Sequence, residues 1–266
     1  MKVHPTAVVE GGALLGTDVE IGAFALIGSE AVIGDGCVIQ SHAVIEGTVR
    51  IGKNNSIGRG SIIGGPPQDL AFKSATHSGV EIGDDNIIRE HCTIHRGATE
   101  GTVTRIGNRN FLMAGVHLAH NAEVGNDVVM ANNCLLGGHV RIGDRAFLGG
   151  GTVLHQYTRV GRLVITQGLS GFGKDVPPFV LAVQRNLIAG LNIVGLRRAG
   201  FTTEQREEVK AAFKLLYRSG LNTRQALEQA AKEQWSEVGR EFFDFVAQAG
   251  RRGIVPSRRG KNAEQD

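Results

Sequence analysis

The chain of 266 residues carries 38 Gly but only 6 Pro, 3 Cys, 11 Phe, 2 Tyr and 1 Trp. That length allows one large or two medium domains with a substantial core; with Pro scarce and no Gly-X-Y run, the glycine excess excludes collagen-like and disordered readings. A net charge of +3 gives no support to wholesale nucleic-acid binding, and the three unpaired, oddly spaced cysteines argue against a zinc ribbon or a disulfide framework. No apolar run approaches the ~18 residues of a membrane span, and Met1-Lys2-Val3-His4-Pro5 starts no signal peptide, so the cytoplasm is the expected compartment.

A six-residue period organises the first two thirds. Val3, Val9, Leu15, Ile21 and every sixth residue to Ile63 are aliphatic; the series resumes at Ile82, Ile88 and Ile94, and again from Ile106 to Val160. Glycine often follows the aliphatic (Gly16, Gly34, Gly58, Gly143), and the fourth residue after it is usually small, a position shared by Cys37, Cys92 and Cys134. Neither a helical nor a simple alternating period gives this pattern. It predicts short strands with tight turns, three per triangular coil of 18 residues, each coil pairing in parallel with the next at ~4.8 Å. The aliphatics fill the interior, and corner glycines are expected to supply conformations that a Cβ penalises. The three cysteines are then core fillers rather than nucleophiles.

Two stretches break the phase, 65–79 and 96–105, and insertions on a rigid repeat often carry function. The period ends near residue 186. Helical signals follow: a capping box at Thr202-x-x-Gln205, apolar spacing through Val209, Ala212, Phe213 and Leu216, a cap at Asn222 or Thr223, and a third helix through Phe242, Phe245 and Val246. The expected organisation is a β-helix over 1–186 and a helical C-terminal domain over 187–266, with a loosely ordered basic tail from Arg251.

Counted against the repeat, His117, His120, His139 and His155 gather within about two coils and none takes the inward aliphatic place. His120 stands two coils below Gln156, and His139 is one residue off the coil directly above His120. The His-x4-His spacing of hexapeptide-repeat zinc enzymes is absent, so no metal is expected, and no phosphate loop or nucleophile elbow occurs in a fitting context.

The repeat resembles the hexapeptide-repeat acyltransferases, which implies a left-handed parallel β-helix. Ile94-His95-Arg96-Gly97, His117-Leu118-Ala119-His120, Gly137-Gly138-His139, His155-Gln156, Asp175-Val176-Pro177-Pro178 and Gly195-Leu196-Arg197-Arg198-Ala199-Gly200-Phe201 narrow the resemblance. They are similar to the acyl-carrier-protein:UDP-N-acetylglucosamine O-acyltransferases, which perform the first step of lipid A assembly. The resemblance implies His120 as general base and the Gly138 N–H as oxyanion donor. It implies substrate contacts at Gln68, Asp69, His117, Asn121, His139, His155, Gln156, Asn192 and Arg198, and an acyl-length position at Gly168. No cofactor is implied. The partners implied are acyl carrier protein, met by Lys174, Arg185, Arg197 and Arg218, the UDP-sugar, and two further copies in a homotrimer with sites between subunits.

Three residues depart from the family pattern. Asn121 stands where Asp commonly follows the base, Ala71 where a Lys is common, and Ala199 where an Arg is often found. These departures open a second acceptor, a UDP-2,3-diamino sugar whose neutral amine demands less of its base; another hexapeptide-repeat sugar-nucleotide acyltransferase is a further alternative. Glycine at 168 implies room for a longer 3-hydroxyacyl chain.

Overall fold

The computed structural model describes residues 1–257. The chain winds as a left-handed parallel β-helix with three flat faces. Most strands are two residues long, and each pairs in parallel with the strand one coil above and below. The first face runs from Lys2–Val3 to Ile165–Thr166 and ends in Val180–Val183; the second runs from Val8–Val9 to Gly171–Phe172; the third runs from Leu14–Leu15 to Arg159–Val160. From Ile21 onward every repeat aliphatic is buried, each contributing roughly 1.5–3 kcal/mol of gross burial energy. Cys37, Cys92 and Cys134 are buried and free.

The glycines after the aliphatics serve a purpose other than the expected one. Their backbones stay out of the left-handed region; instead, a Cβ on Gly34 would lie 2.6 Å from the Gly52 carbonyl oxygen, and one on Gly58 2.4 Å from the Arg89 carbonyl carbon. They let one coil's backbone touch the next. The left-handed corner falls two residues past the aliphatic-glycine junction, at residues such as Asp18, Asn54, Asp127 and His139, where a short polar side chain tolerates positive φ.

At the small inward position three successive coils carry asparagine. Asn86 Nδ2 donates to Asn55 Oδ1 and Asn110 Nδ2 to Asn86 Oδ1, both at 2.9 Å, and Asn110 Oδ1 accepts from Val128 N–H at 2.8 Å. All three asparagines are buried. Asn86→Ala strips partners from both neighbours, and an unsatisfied buried polar group costs about 1–3 kcal/mol. A lowered melting temperature in calorimetry is the expected result.

Past the last parallel coil, Leu187–Leu191 turns back antiparallel onto Val180–Val183, so strand continues beyond residue 186. Among the described residues four helices follow: α1 (Ile193–Arg198), α2 (Thr203–Tyr217), α3 (Thr223–Ala230) and α4 (Glu237–Ala247). The anticipated capping box forms between Thr202 and Gln205; of the two expected caps for the next helix the structure uses Asn222, which forms a second box with Gln225. In α4 the buried aromatics are Phe242 and Phe243; Phe245 instead lies under the Arg159 guanidinium, 4.4 Å from its ring centre.

Residues 251–257 are not the loose tail that their composition suggests. Gly253 C=O accepts from Asp175 N–H at 3.0 Å, Val255 N–H donates to Asp175 C=O at 2.8 Å, and Pro256 C=O accepts from Ile188 N–H at 2.9 Å. Val255 is fully buried, and its carbonyl accepts from the Tyr217 hydroxyl at 2.9 Å. This segment is a strap across the end of the β-helix. The remainder of the expected tail, 258–266, lies outside the described residues.

Candidate active site

Both insertions leave the prism at one edge, where the second face turns into the third. Residues 66–78 join Ile62–Gly65 to Gly79–Ile82, and residues 96–102 join Thr93–His95 to Val103–Ile106. His77 N–H donates to Glu100 Oε2 at 3.0 Å and Gly101 N–H to His77 C=O at 2.8 Å, so the two loops are fastened together. Phe72 in the first loop lies beneath the Arg96 guanidinium at 5.3 Å. Gln68 and Asp69 are exposed on that loop; Asp69 Oδ1 accepts from Ala71 N–H at 2.9 Å, which shapes the turn.

His120, Gly138 and Gln156 stack along this same edge, one per coil. Asn121 Oδ1 accepts from Ala98 N–H, on the second insertion, at 3.0 Å. A backbone N–H only donates, so this bond fixes which end of the amide is oxygen. The same oxygen lies 3.0 Å from His120 Nδ1, which must therefore carry the proton. The neutral ring thus presents Nε2 as an unprotonated acceptor. Asn121 is itself held by its N–H donating to Thr104 Oγ1 at 2.8 Å.

Above the ring, a Cβ on Gly138 would lie 2.7 Å from both Cε1 and Nε2 of His120. Only the bare backbone fits there. The Gly138 N–H has no hydrogen-bond partner among the described residues, and it belongs to the coil that covers the Nε2 edge. His139 meets the His120 ring edge-on at 5.2 Å and stacks on Tyr157 at 4.6 Å; burial, then the neighbouring His120 and Arg141, lower its pKa.

His117 is half-buried below, its Nδ1 at 2.7 Å from Thr93 Oγ1, and burial lowers its pKa. Edge-on to it at 5.0 Å is His95, buried with Nδ1 unpartnered among the described residues. Burial, then His117 and His120, push the His95 pKa down from 6.5 to about 4. Because the folded value is the lower one, the unfolded chain takes the extra proton between these limits. The stability present above pH 6.5 is therefore lost as the pH falls towards 4, by about 3 kcal/mol. A His95→Gln variant should lose less melting temperature than the parent between pH 7.5 and 4.5.

Residues 175–255 match the family described as UDP-N-acetylglucosamine O-acyltransferase, domain 2, and residues 30–65 and 104–138 match the bacterial transferase hexapeptide repeats. An acyl-[acyl-carrier-protein]–UDP-N-acetylglucosamine O-acyltransferase of Campylobacter concisus is 38% identical over 263 residues, 98% of this chain and 99% of the relative. One from Synechocystis is 41% identical over 80% of this chain and 79% of its own length. The solved UDP-N-acetylglucosamine acyltransferase of Campylobacter jejuni superposes with a TM-score of 0.90 at 37% identity, over 97% of this chain and 100% of that one. The chain belongs to this acyltransferase family.

Membership extends through both insertions and the helices, but a single chain does not gather every expected site residue. Gly168 is exposed on the corner between the first and second faces, where a Cβ would meet only the Gly150 carbonyl oxygen at 3.2 Å and the Gly150 nitrogen at 3.8 Å. Asn192 caps α1 from the corner between the third and first faces: Nδ2 donates to Leu163 C=O and Oδ1 accepts from Gly195 N–H, both at 2.9 Å. Arg198 ends α1, exposed. His155 and Gln156 are exposed at the histidine edge, and there the structure adds a residue that sequence reasoning missed. Arg252 of the strap contacts His155 Nδ1 and donates from Nη1 to Gln156 C=O at 3.1 Å. Ala98 and Thr104 were equally hidden, since a backbone N–H and a threonine opposite an insertion carry no spacing signal. Among the described residues, no three His, Cys, Asp or Glu side chains are grouped to hold a metal.

Proposed function

We propose that this chain transfers a 3-hydroxyacyl group from acyl carrier protein to the 3-hydroxyl of UDP-N-acetylglucosamine in the cytoplasm, the first step of lipid A assembly, with His120 as general base. The observation that carries the mechanism is the Ala98–Asn121–His120 chain, which puts the proton on Nδ1 and leaves Nε2 as the acceptor. Nε2 takes the proton of the sugar hydroxyl as its oxygen attacks the thioester carbonyl carbon. The Gly138 N–H, without a partner among the described residues, supports the role of oxyanion donor. Collapse forms the ester, breaks the C–S bond and returns the proton to the leaving thiolate.

The distribution of exposed residues supports a homotrimer. Outward side chains of the first face include Val38, Ile87 and Phe147, and those of the second Ile62, Leu135 and Val153, each 37–47% exposed. The third face carries an arginine–carboxylate ladder, with Arg105 on Glu81 and Arg141 on Glu123. First face against second face is a heterologous contact that closes a ring of three. It brings the His120 edge of one copy beside the corner that carries Asn192 and Arg198 in the next. Arg198, exposed and forked, suits a diphosphate, and Lys174, Arg185, Arg197 and Arg218 suit an acidic carrier protein.

Asn121 favours a second acceptor. An amide orients the imidazole but brings no charge to the imidazolium, and a neutral 3-amine asks less of the base. An acyl-transfer assay offering UDP-N-acetylglucosamine and its 3-amino analogue separates the two. Turnover of the hydroxyl substrate supports O-acylation; turnover of the amine alone replaces it with N-acylation. In the same assay the space at Gly168 favours donors longer than 10 carbons, and best activity at 10 carbons counts against that assignment.

A further inference from the structure

The strap delivers a guanidinium to the active-site edge. Arg252 Nη1 touches His155 Nδ1 and donates to the Gln156 carbonyl at 3.1 Å. Arginine only donates, so His155 Nδ1 accepts and its proton must sit on Nε2. The 3.2 Å approach of His155 Nδ1 to the Gln156 carbonyl is then two acceptors sharing one donor. The edge thus holds two imidazoles in opposite tautomers: His120 presents an acceptor at Nε2, and His155 presents an N–H donor.

Arg252 is not on a loose end. The residues around it are bonded to the last coil: Gly253 C=O and Val255 N–H to Asp175, and Pro256 C=O to Ile188. Asp175 is in turn buried and paired with Arg159 at 2.8 Å. The remaining Arg252 donors, Nε and Nη2, have no partner among the described residues, and the side chain is exposed. A pre-positioned guanidinium with free donors, beside a neutral N–H donor and the Gln156 amide, is a receptor for a phosphate oxygen.

We propose that Arg252 is a substrate-positioning residue that binds a phosphate group and sets the His155 tautomer. This rests on the acyl-transfer reading above, which supplies two phosphate sources: the diphosphate of the sugar nucleotide and the phosphopantetheine of the acyl donor. The test compares Arg252→Ala, Arg252→Lys and the parent full-length chain. It measures KM for each substrate, kcat, melting temperature and calorimetric binding of UDP-N-acetylglucosamine.

In Arg252→Ala one KM should rise about tenfold or more, the usual scale for a lost charge-assisted bond, with melting temperature unchanged. A rise for UDP-N-acetylglucosamine, with weaker calorimetric binding, assigns the diphosphate; a rise for the acyl donor alone assigns the phosphopantetheine. Lysine should restore part of the loss, since it keeps the charge without the fork. Unchanged KM values overturn the proposal, as does a fall in melting temperature with both KM values shifted alike and no rescue by lysine. If the parent itself turns over neither substrate, the acyl-transfer reading has failed instead.

Discussion

Replacing His120 with alanine should lower turnover by roughly 10²–10⁴-fold, the scale of a positioned general base, while the coils remain intact. The ring is half-buried at a corner and fills none of the inward aliphatic positions, so its removal opens no core cavity. The loss should appear in kcat, because the proton moves in the transition state, and the KM for acyl carrier protein should stay near the parent value. A folded His120→Ala variant with undiminished turnover would sink the assignment. Steady-state kinetics beside a melting curve decides it.

Gly138→Ala should be nearly as damaging, for a steric reason. The new methyl would lie 2.7 Å from His120 Nε2 and Cε1, inside any real carbon contact, so the imidazole must swing away from its bond to Asn121. The backbone at Gly138 is outside the left-handed region, so alanine itself is conformationally acceptable, and the cost falls on the ring. Displacement by even 1 Å at a reacting group can cost about 10²-fold. Gly137→Ala is the control: there the Cβ would lie 2.7 Å from the backbone nitrogen of Gln156. That variant should lower the melting temperature through coil separation, whereas Gly138→Ala should keep the melting temperature and lose rate.

The coil phase was legible because each face admits one aliphatic per turn, so Ile21, Ile27 and Ile33 declare three faces without help from tertiary context. The same arithmetic put His120, Gly138 and Gln156 on one edge. The unread parts are those where the determinant is not a side chain in register. The glycines looked like conformational hinges, but the structure assigns them to backbone contact between coils. Asn55, Asn86 and Asn110 share an inward position with cysteine and alanine, and only stacking reveals that they satisfy one another. The Ala98 N–H that fixes the His120 tautomer has no residue identity, and Arg252 lies in a basic stretch whose composition resembles a tail. Asn192 and Arg198 were named by resemblance, yet in one chain they stand at a different corner from His120.

The strap also sets the order in which the molecule can be completed. Coils contact mainly their neighbours, so they can stack in sequence as the chain leaves the ribosome. Arg252 closes on His155 and Gln156 across 97 and 96 residues. A nascent chain therefore holds a finished His120 edge long before it holds a finished His155. Those two contacts can form only after translation has passed the strap.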